Sequence, residues 1–122
     1  KLDRWRRIIR EAAEQSGRGL LPALSPPIAF AAAIEGARAA DVALIAWEGE
    51  TRHTIGETLG ARAAVAEIAL FIGPEGGYDE EEVRLAESWG AVPVSLGGRI
   101  LRTETAAVVG AALVLHRLGE LG

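Results

Sequence analysis

Two glycine-bearing segments, GPEGGY at 73–78 and LGGRILRTETA at 96–106, hold residue types whose spacing suits ligand binding. In the first, the glycines permit positive φ and let a ligand approach the backbone closely, while Pro74 stiffens the entry. A helix starting behind Asp79 would turn its free N–H groups and partial positive charge toward this loop, a setting for an anion or carboxylate. The G-x-G-x-x-G spacing and the lysine of a Walker loop are both missing, which speaks against a nucleotide-binding domain of either kind. A plain strand-to-helix turn accounts for the same residues equally well. In the second segment, Ile100 and Leu101 beside glycine can grip a flat ring such as adenine. Arg102 suits a phosphate or a substrate carbonyl, and Glu104 suits proton transfer or the bracing of Arg102. The competing reading there is structural, with Thr103 capping a helix beside a surface ion pair.

The other polar residues carry weaker signals. Arg4, Arg6, Arg7, Arg10 and Arg18 give the amino-terminal part a basic character that suits RNA phosphates. Asp3, Glu11 and Glu14 dilute it, and a solvated helix face explains it as well. Gln15, Ser16 and Arg18 lie just past that helix, within reach of a substrate base. Glu80, Glu81 and Glu82 favour a helix start electrostatically, and His116 favours a helix end. Trp47 follows an apolar run and reads as core cover or cleft lining, with core cover preferred. His53 receives no role. Cysteine is absent and histidine occurs twice, which excludes a disulfide framework, a thiolate zinc site, a cysteine nucleophile and a multi-histidine metal site.

These loops need elements to hold them. Trp5, Ile8, Ile9, Ala12 and Ala13 share one helical face, so 2–16 is predicted as an amphipathic helix closed by Gly17. Pro22, Pro26 and Pro27 make 17–27 a loop. An alanine-rich helix over 28–39 precedes two short apolar runs, 42–46 and 67–72, that read as buried strands. Between them, 48–65 gives only a loop and a short helical turn. Asp79 with Glu82 predicts a capping box for a helix over 79–89. A short strand at 91–94 carries Pro93, which suggests a sheet edge or a strand end. A last helix runs over 103–118, with Thr103 as its cap. Strands alternating with helices of crossover length argue for an α/β fold, a mostly parallel sheet flanked by helices. Ligands in such sheets sit where loops leave the carboxyl ends of the strands, here 47–52, 73–77 and 96–99.

The 122 residues carry 49% hydrophobic side chains, enough for one globular domain with its own core. Thirteen basic against seventeen acidic residues leave a net charge of −4, which disfavours a nonspecific nucleic-acid coat. No apolar run of membrane-spanning length and no signal peptide is visible, and with the missing cysteine this leads to an expected cytoplasmic location. Lys1 in place of methionine, with no methionine elsewhere, is what a piece of a longer protein would give.

Phe71-Ile72-Gly73-Pro74-Glu75-Gly76-Gly77-Tyr78, then Leu96-Gly97 and Arg99 to Ala106, together with Glu14-Gln15-Ser16-Gly17-Arg18, closely resemble the ribosomal RNA small subunit methyltransferase E family over essentially the whole chain. The resemblance implies the SPOUT class, an α/β domain whose carboxyl-terminal part forms a trefoil knot. It implies S-adenosyl-L-methionine as cofactor and methylation at N3 of a uridine in 16S ribosomal RNA of the small ribosomal subunit. It implies a homodimer with cofactor sites near the interface, and neither a membrane nor a metal. Gly73, Pro74, Glu75 and Gly76 would form one cofactor wall. Leu96, Gly97, Ile100, Leu101 and Arg102 would form the adenosine side, with Thr105 and Ala106 beneath. Arg102, Arg18 and Gln15 would serve the reaction centre, and Glu104 would brace the loop. Family members also carry an amino-terminal RNA-binding β-barrel domain, and 1–122 is expected to be the methyltransferase domain without it. Two other expectations stay open: a related SPOUT enzyme acting on a ribose 2′-hydroxyl or a transfer RNA guanine, and a module that binds cofactor and dimerises without turnover.

Overall fold

The computed structural model describes residues 2–15, 22–60, 65–97 and 101–120. Helix α1 (Leu2–Gln15) is followed by α2 (Phe30–Gly36), a 3₁₀ turn (Ala37–Ala39), β1 (Val42–Ala46), α3 (Ile55–Gly60), β2 (Ile68–Phe71), α4 (Glu80–Ser88), β3 (Val92–Val94) and α5 (Thr103–Arg117). The three strands form one parallel sheet in the order β2-β1-β3. The α/β class and the parallel pairing are as the sequence predicts. The described residues do not show the trefoil knot expected of the carboxyl-terminal part, and Gly17 and Arg18 lie outside them.

Alternation along β1 builds a core on each face of the sheet. Val42 and Leu44 point to one side and pack with Ile55, Leu59, Val94 and Val114 from α3, β3 and α5. Ile45 points to the other and packs with Ile34, Val83, Ala86 and Ala91 from α2, α4 and the turn before β3. Leu44 and Ile45 are fully buried, which is why β1 is the central strand. Pro93 pairs only with Ile45 of β1, so the residue without an N–H sits on an edge strand as expected.

Several boundaries differ from the sequence reading. The second helix begins at Phe30, with Ala29 before it still extended at ψ 147°. The poorly legible stretch contains α3, whose first turn is capped by Thr54: its hydroxyl oxygen accepts the Glu57 N–H at 3.1 Å. Thr103 is not the cap of α5. Arg102 holds that position with extended backbone and no side-chain bond to the helix, which leaves the Thr103 hydroxyl free for another partner. In α1 the predicted apolar stripe is present, but Ala13 is its only buried member and Trp5 and Ile8 stay about half exposed.

Candidate functional site

The carboxyl ends of the three parallel strands lie side by side, so the loops that leave them converge. They enclose a cleft of about 260 Å³, lined from Ala46 to Gly49, from Ile72 to Tyr78, from Ser95 to Gly97, and by Leu101, Thr103 and Ala106. The two glycine-bearing segments thus face one space.

The wall after β2 is a closed turn. The Gly77 N–H donates to the Pro74 carbonyl at 2.8 Å, and Gly77 follows at φ 72°, a left-handed value that suits glycine. Behind it the capping box of α4 is complete: Asp79 accepts the Glu82 N–H at 2.8 Å, and Glu82 accepts the Asp79 N–H at 3.0 Å. Gly73 lies under the Tyr78 ring, where an added Cβ would stand 3.3 Å from it. Burial, aided by the nearby Glu82 carboxylate, pushes the Tyr78 hydroxyl up to about 12. It therefore stays neutral at ordinary pH.

The wall after β3 is held by Ser95. Its hydroxyl oxygen accepts the Gly97 N–H at 3.1 Å, and its backbone N–H donates to the His53 carbonyl at 2.8 Å. Gly97 has φ 115°, which only glycine adopts without strain. The third wall follows β1. The Glu50 N–H donates to the Trp47 carbonyl at 3.1 Å, closing a turn. The Trp47 ring folds over Gly49 so closely that a Cβ there would fall 2.5 Å from it. Trp47 both packs against the α2–α4 core and lines the cleft, so the two sequence readings of it hold together. Glu50 accepts the N–H groups of Arg52 and His53 at 2.8 and 2.9 Å. The Arg52 bond is the chief cause holding its carboxyl below the usual range, with His53 adding to it.

Of the residues singled out in the sequence, the structure brings Gly73, Pro74, Glu75, Gly76, Leu96, Gly97, Leu101 and Ala106 to the cleft. Arg102 lies between two lining residues but is exposed and does not line the cleft, and Thr105 is exposed on α5. Gln15 is exposed at the end of α1 and is not among the lining residues. Ile100 and Arg18 lie outside the described residues. Trp47, Glu48 and Gly49 of the expected 47–52 loop also line the cleft, as do Tyr78 and Thr103 within the two glycine-bearing segments and Ser95, which had no role assigned. For Ser95 the local signal is a serine two residues before a glycine in a turn.

The lining suits one kind of ligand. Ile72, Leu96, Leu101 and Ala106 offer an apolar surface for a flat ring, and the exposed loop backbone offers polar partners. Among the described lining residues the charged ones are Glu48 and Glu75, both acidic, so the field favours a ligand bearing positive charge. A sulfonium cofactor with an adenine ring fits this donor set. A second cleft of about 290 Å³ opens at the opposite end of the sheet between Arg38, Asp41 and Trp89. Its charged neighbours are engaged in the fold: Arg38 stacks on Trp89 at 5.1 Å and Asp41 accepts the N–H groups of Ala66 and Glu67.

Comparison with known proteins agrees with this reading. Residues 1–115 match the family model described as an RNA methyltransferase domain. The ribosomal RNA small subunit methyltransferase E of Synechocystis is 41% identical over 115 residues, covering 93% of this chain and 38% of its own length. That of Mesomycoplasma hyopneumoniae is 38% identical, covering 88% of this chain and 45% of its own. The chain therefore spans less than half the length of these curated relatives. Among solved structures, a Legionella pneumophila protein in complex with the bound cofactor SAM superimposes with a TM-score of 0.83 at 34% identity, over 94% of this chain and 46% of the other. The ribosomal RNA small subunit methyltransferase E of Neisseria gonorrhoeae bound to S-adenosyl methionine gives 0.80 at 36% identity, over 93% and 47%.

Proposed function

Because this chain belongs to the family of RNA methyltransferase domains, we propose that its cleft binds S-adenosyl-L-methionine and that the protein methylates N3 of a uridine in 16S ribosomal RNA. The observation that carries the proposal is the meeting of the 73–77 and 95–97 turns in one acidic, apolar-floored cleft. Gly73, Pro74, Glu75 and Gly76 hold one side of the cofactor. Leu96, Gly97 and Leu101 hold the other, above Ala106. When bound, the cofactor supplies an electrophilic methyl group on a positively charged sulfur.

What remains for the protein is orientation and electrostatics. Uridine N3 carries a proton and must lose it before it can attack. Arg102, exposed at the start of α5, is assigned to stabilise the negative charge that this loss leaves on the base. Holding N3 in line with the methyl group contributes a further large factor. The base must leave its stack first, and Gln15 and Arg18 are assigned to receive it. The trefoil knot belongs to the same proposal. A homodimer does too: Val108, Leu113 and Leu115 of α5 are exposed apolar side chains, and Val108 is 70% exposed.

A second reading, cofactor binding and dimerisation without turnover, draws support from the lining itself, since no described basic side chain lines the cleft. Two measurements test both readings. Calorimetric titration with S-adenosylmethionine gives saturable one-site binding under either. Methylation of small ribosomal subunits, followed by identification of the methylated nucleoside, yields N3-methyluridine under the first. A 2′-O-methyl nucleoside or methylguanosine contradicts the uridine assignment, and absent binding contradicts both readings.

A further inference from the structure

Helix α5 meets the sheet along a stripe of small side chains. Thr103, Ala106, Gly110 and Val114 follow one another at intervals of three and four residues, which places them on one helical face. Ala106, Gly110 and Val114 are buried. At Gly110 the helix lies against β2 so closely that an added Cβ would stand 3.0 Å from Leu70 and 3.4 Å from Ile72. The middle of α5 therefore has little freedom to shift. Its start lies beside the cleft, where Thr103 and Ala106 are lining residues.

The polar tie at that start is the Thr103 hydroxyl. It donates to the Gly73 carbonyl at 3.0 Å in a half-buried setting, across thirty residues of sequence. Gly73 opens the turn that forms the first wall, and Thr103 follows the segment that forms the second. The bond spans the two walls and joins them where α5 begins. A threonine at the first position of a helix ordinarily turns its hydroxyl toward the helix itself or toward solvent. Here it is spent on a loop that has its own turn and its own helix behind it.

We propose that Thr103 is a positioning residue, whose hydroxyl latches the 73–77 turn to the start of α5 and so sets the width of the cofactor cleft. This rests on the cofactor assignment above for its consequence, but the latch itself is a property of the ligand-free chain. Loss of the hydroxyl leaves the Gly73 carbonyl without this donor and frees the turn to move as a unit. Threonine to serine keeps the donor and removes only a methyl group, whereas threonine to valine keeps the shape and removes the donor.

The test compares Thr103→Val and Thr103→Ser with the unchanged chain by two readouts. Amide hydrogen exchange without ligand reports the latch alone: exchange at 73–77 is expected to quicken about tenfold in Thr103→Val and to stay within about twofold in Thr103→Ser. S-adenosylmethionine affinity by calorimetry reports its consequence: about tenfold weaker in Thr103→Val, about unchanged in Thr103→Ser. Unchanged exchange in Thr103→Val overturns the latch, and so does equal quickening in Thr103→Ser. Quickened exchange with unchanged affinity overturns its role in cofactor binding. Should Thr103→Val fail to fold, Thr103→Ala takes its place with the same expected order. If the unchanged chain does not bind the cofactor, the functional assignment fails, while the exchange data still decide the latch.

Discussion

The two glycine walls of the cleft are built by different means. The wall after β2 is closed by its own backbone, through the bond from Gly77 to Pro74, and is anchored behind by the Asp79–Glu82 capping box. The wall after β3 has a serine side chain in place of a turn bond and depends on Gly97 at a φ of 115°. Behind it, α5 starts at Arg102 without side-chain capping. The first wall is held by these local hydrogen bonds and by the Thr103 hydroxyl on its Gly73 carbonyl, the second by a backbone conformation open to glycine and by the bond from the Ser95 N–H to the His53 carbonyl. A ligand clasped between them gains from every bond that orders a wall before it arrives, since less ordering then remains to be done on binding.

Substitutions that act on one wall at a time break or sharpen this contrast. The largest effect is expected at Arg102. Arg102→Ala should lower methyl transfer to small-subunit ribosomal RNA by about 100-fold or more, the scale of losing one preorganised charge-stabilising donor. Its thermal unfolding should be unchanged, because the side chain is exposed. Retained activity would remove Arg102 from the reaction centre.

Next comes Gly97→Ala. The positive φ makes any side chain there strained at a cost of about 1–2 kcal/mol, visible in chemical denaturation. Gly76→Ala, by contrast, places its Cβ in open space at an ordinary φ, so stability should hold. If both variants bind the cofactor more weakly while only Gly97→Ala loses stability, the two walls differ as described. Asp79→Ala follows, with an expected loss of about 1 kcal/mol of stability from the broken cap. The smallest effect is in the pH profile. With its folded value raised to about 12 against an ordinary 10, Tyr78 contributes stability that is full below pH 10 and fades as pH rises toward 12. Tyr78→Phe should abolish that fading in alkaline denaturation, and an unchanged profile would mean that the hydroxyl is not shielded.

Much of this fold can be read before any coordinates, for physical reasons. Val42 to Ala46 is apolar without helical period, which matches a strand covered on both faces. Asp79 and Glu82 stand at the spacing a capping box requires, and the box forms. The helix α3 was obscured by Gly56 and Gly60, poor helix formers, although Thr54 and Glu57 stand at the same threonine-to-glutamate spacing and Thr54 caps that turn. Two cleft features were illegible because they depend on contacts far apart in sequence. Thr103 looks like a helix cap until the Gly73 carbonyl is found beside it. Trp47 reads as core or as cleft lining, and only the sheet order, which brings its strand end between the other two, shows that it is both.

The most direct test of the whole account is a residue-by-residue map of backbone amide shifts on titrating S-adenosylmethionine into the labelled chain. The account predicts that the largest changes cluster together at Gly73 to Gly77, at Leu96 and Gly97, and at Leu101 to Ala106. Changes confined to one wall, changes centred on the opposite end of the sheet around Arg38 and Trp89, or no changes at all would contradict it.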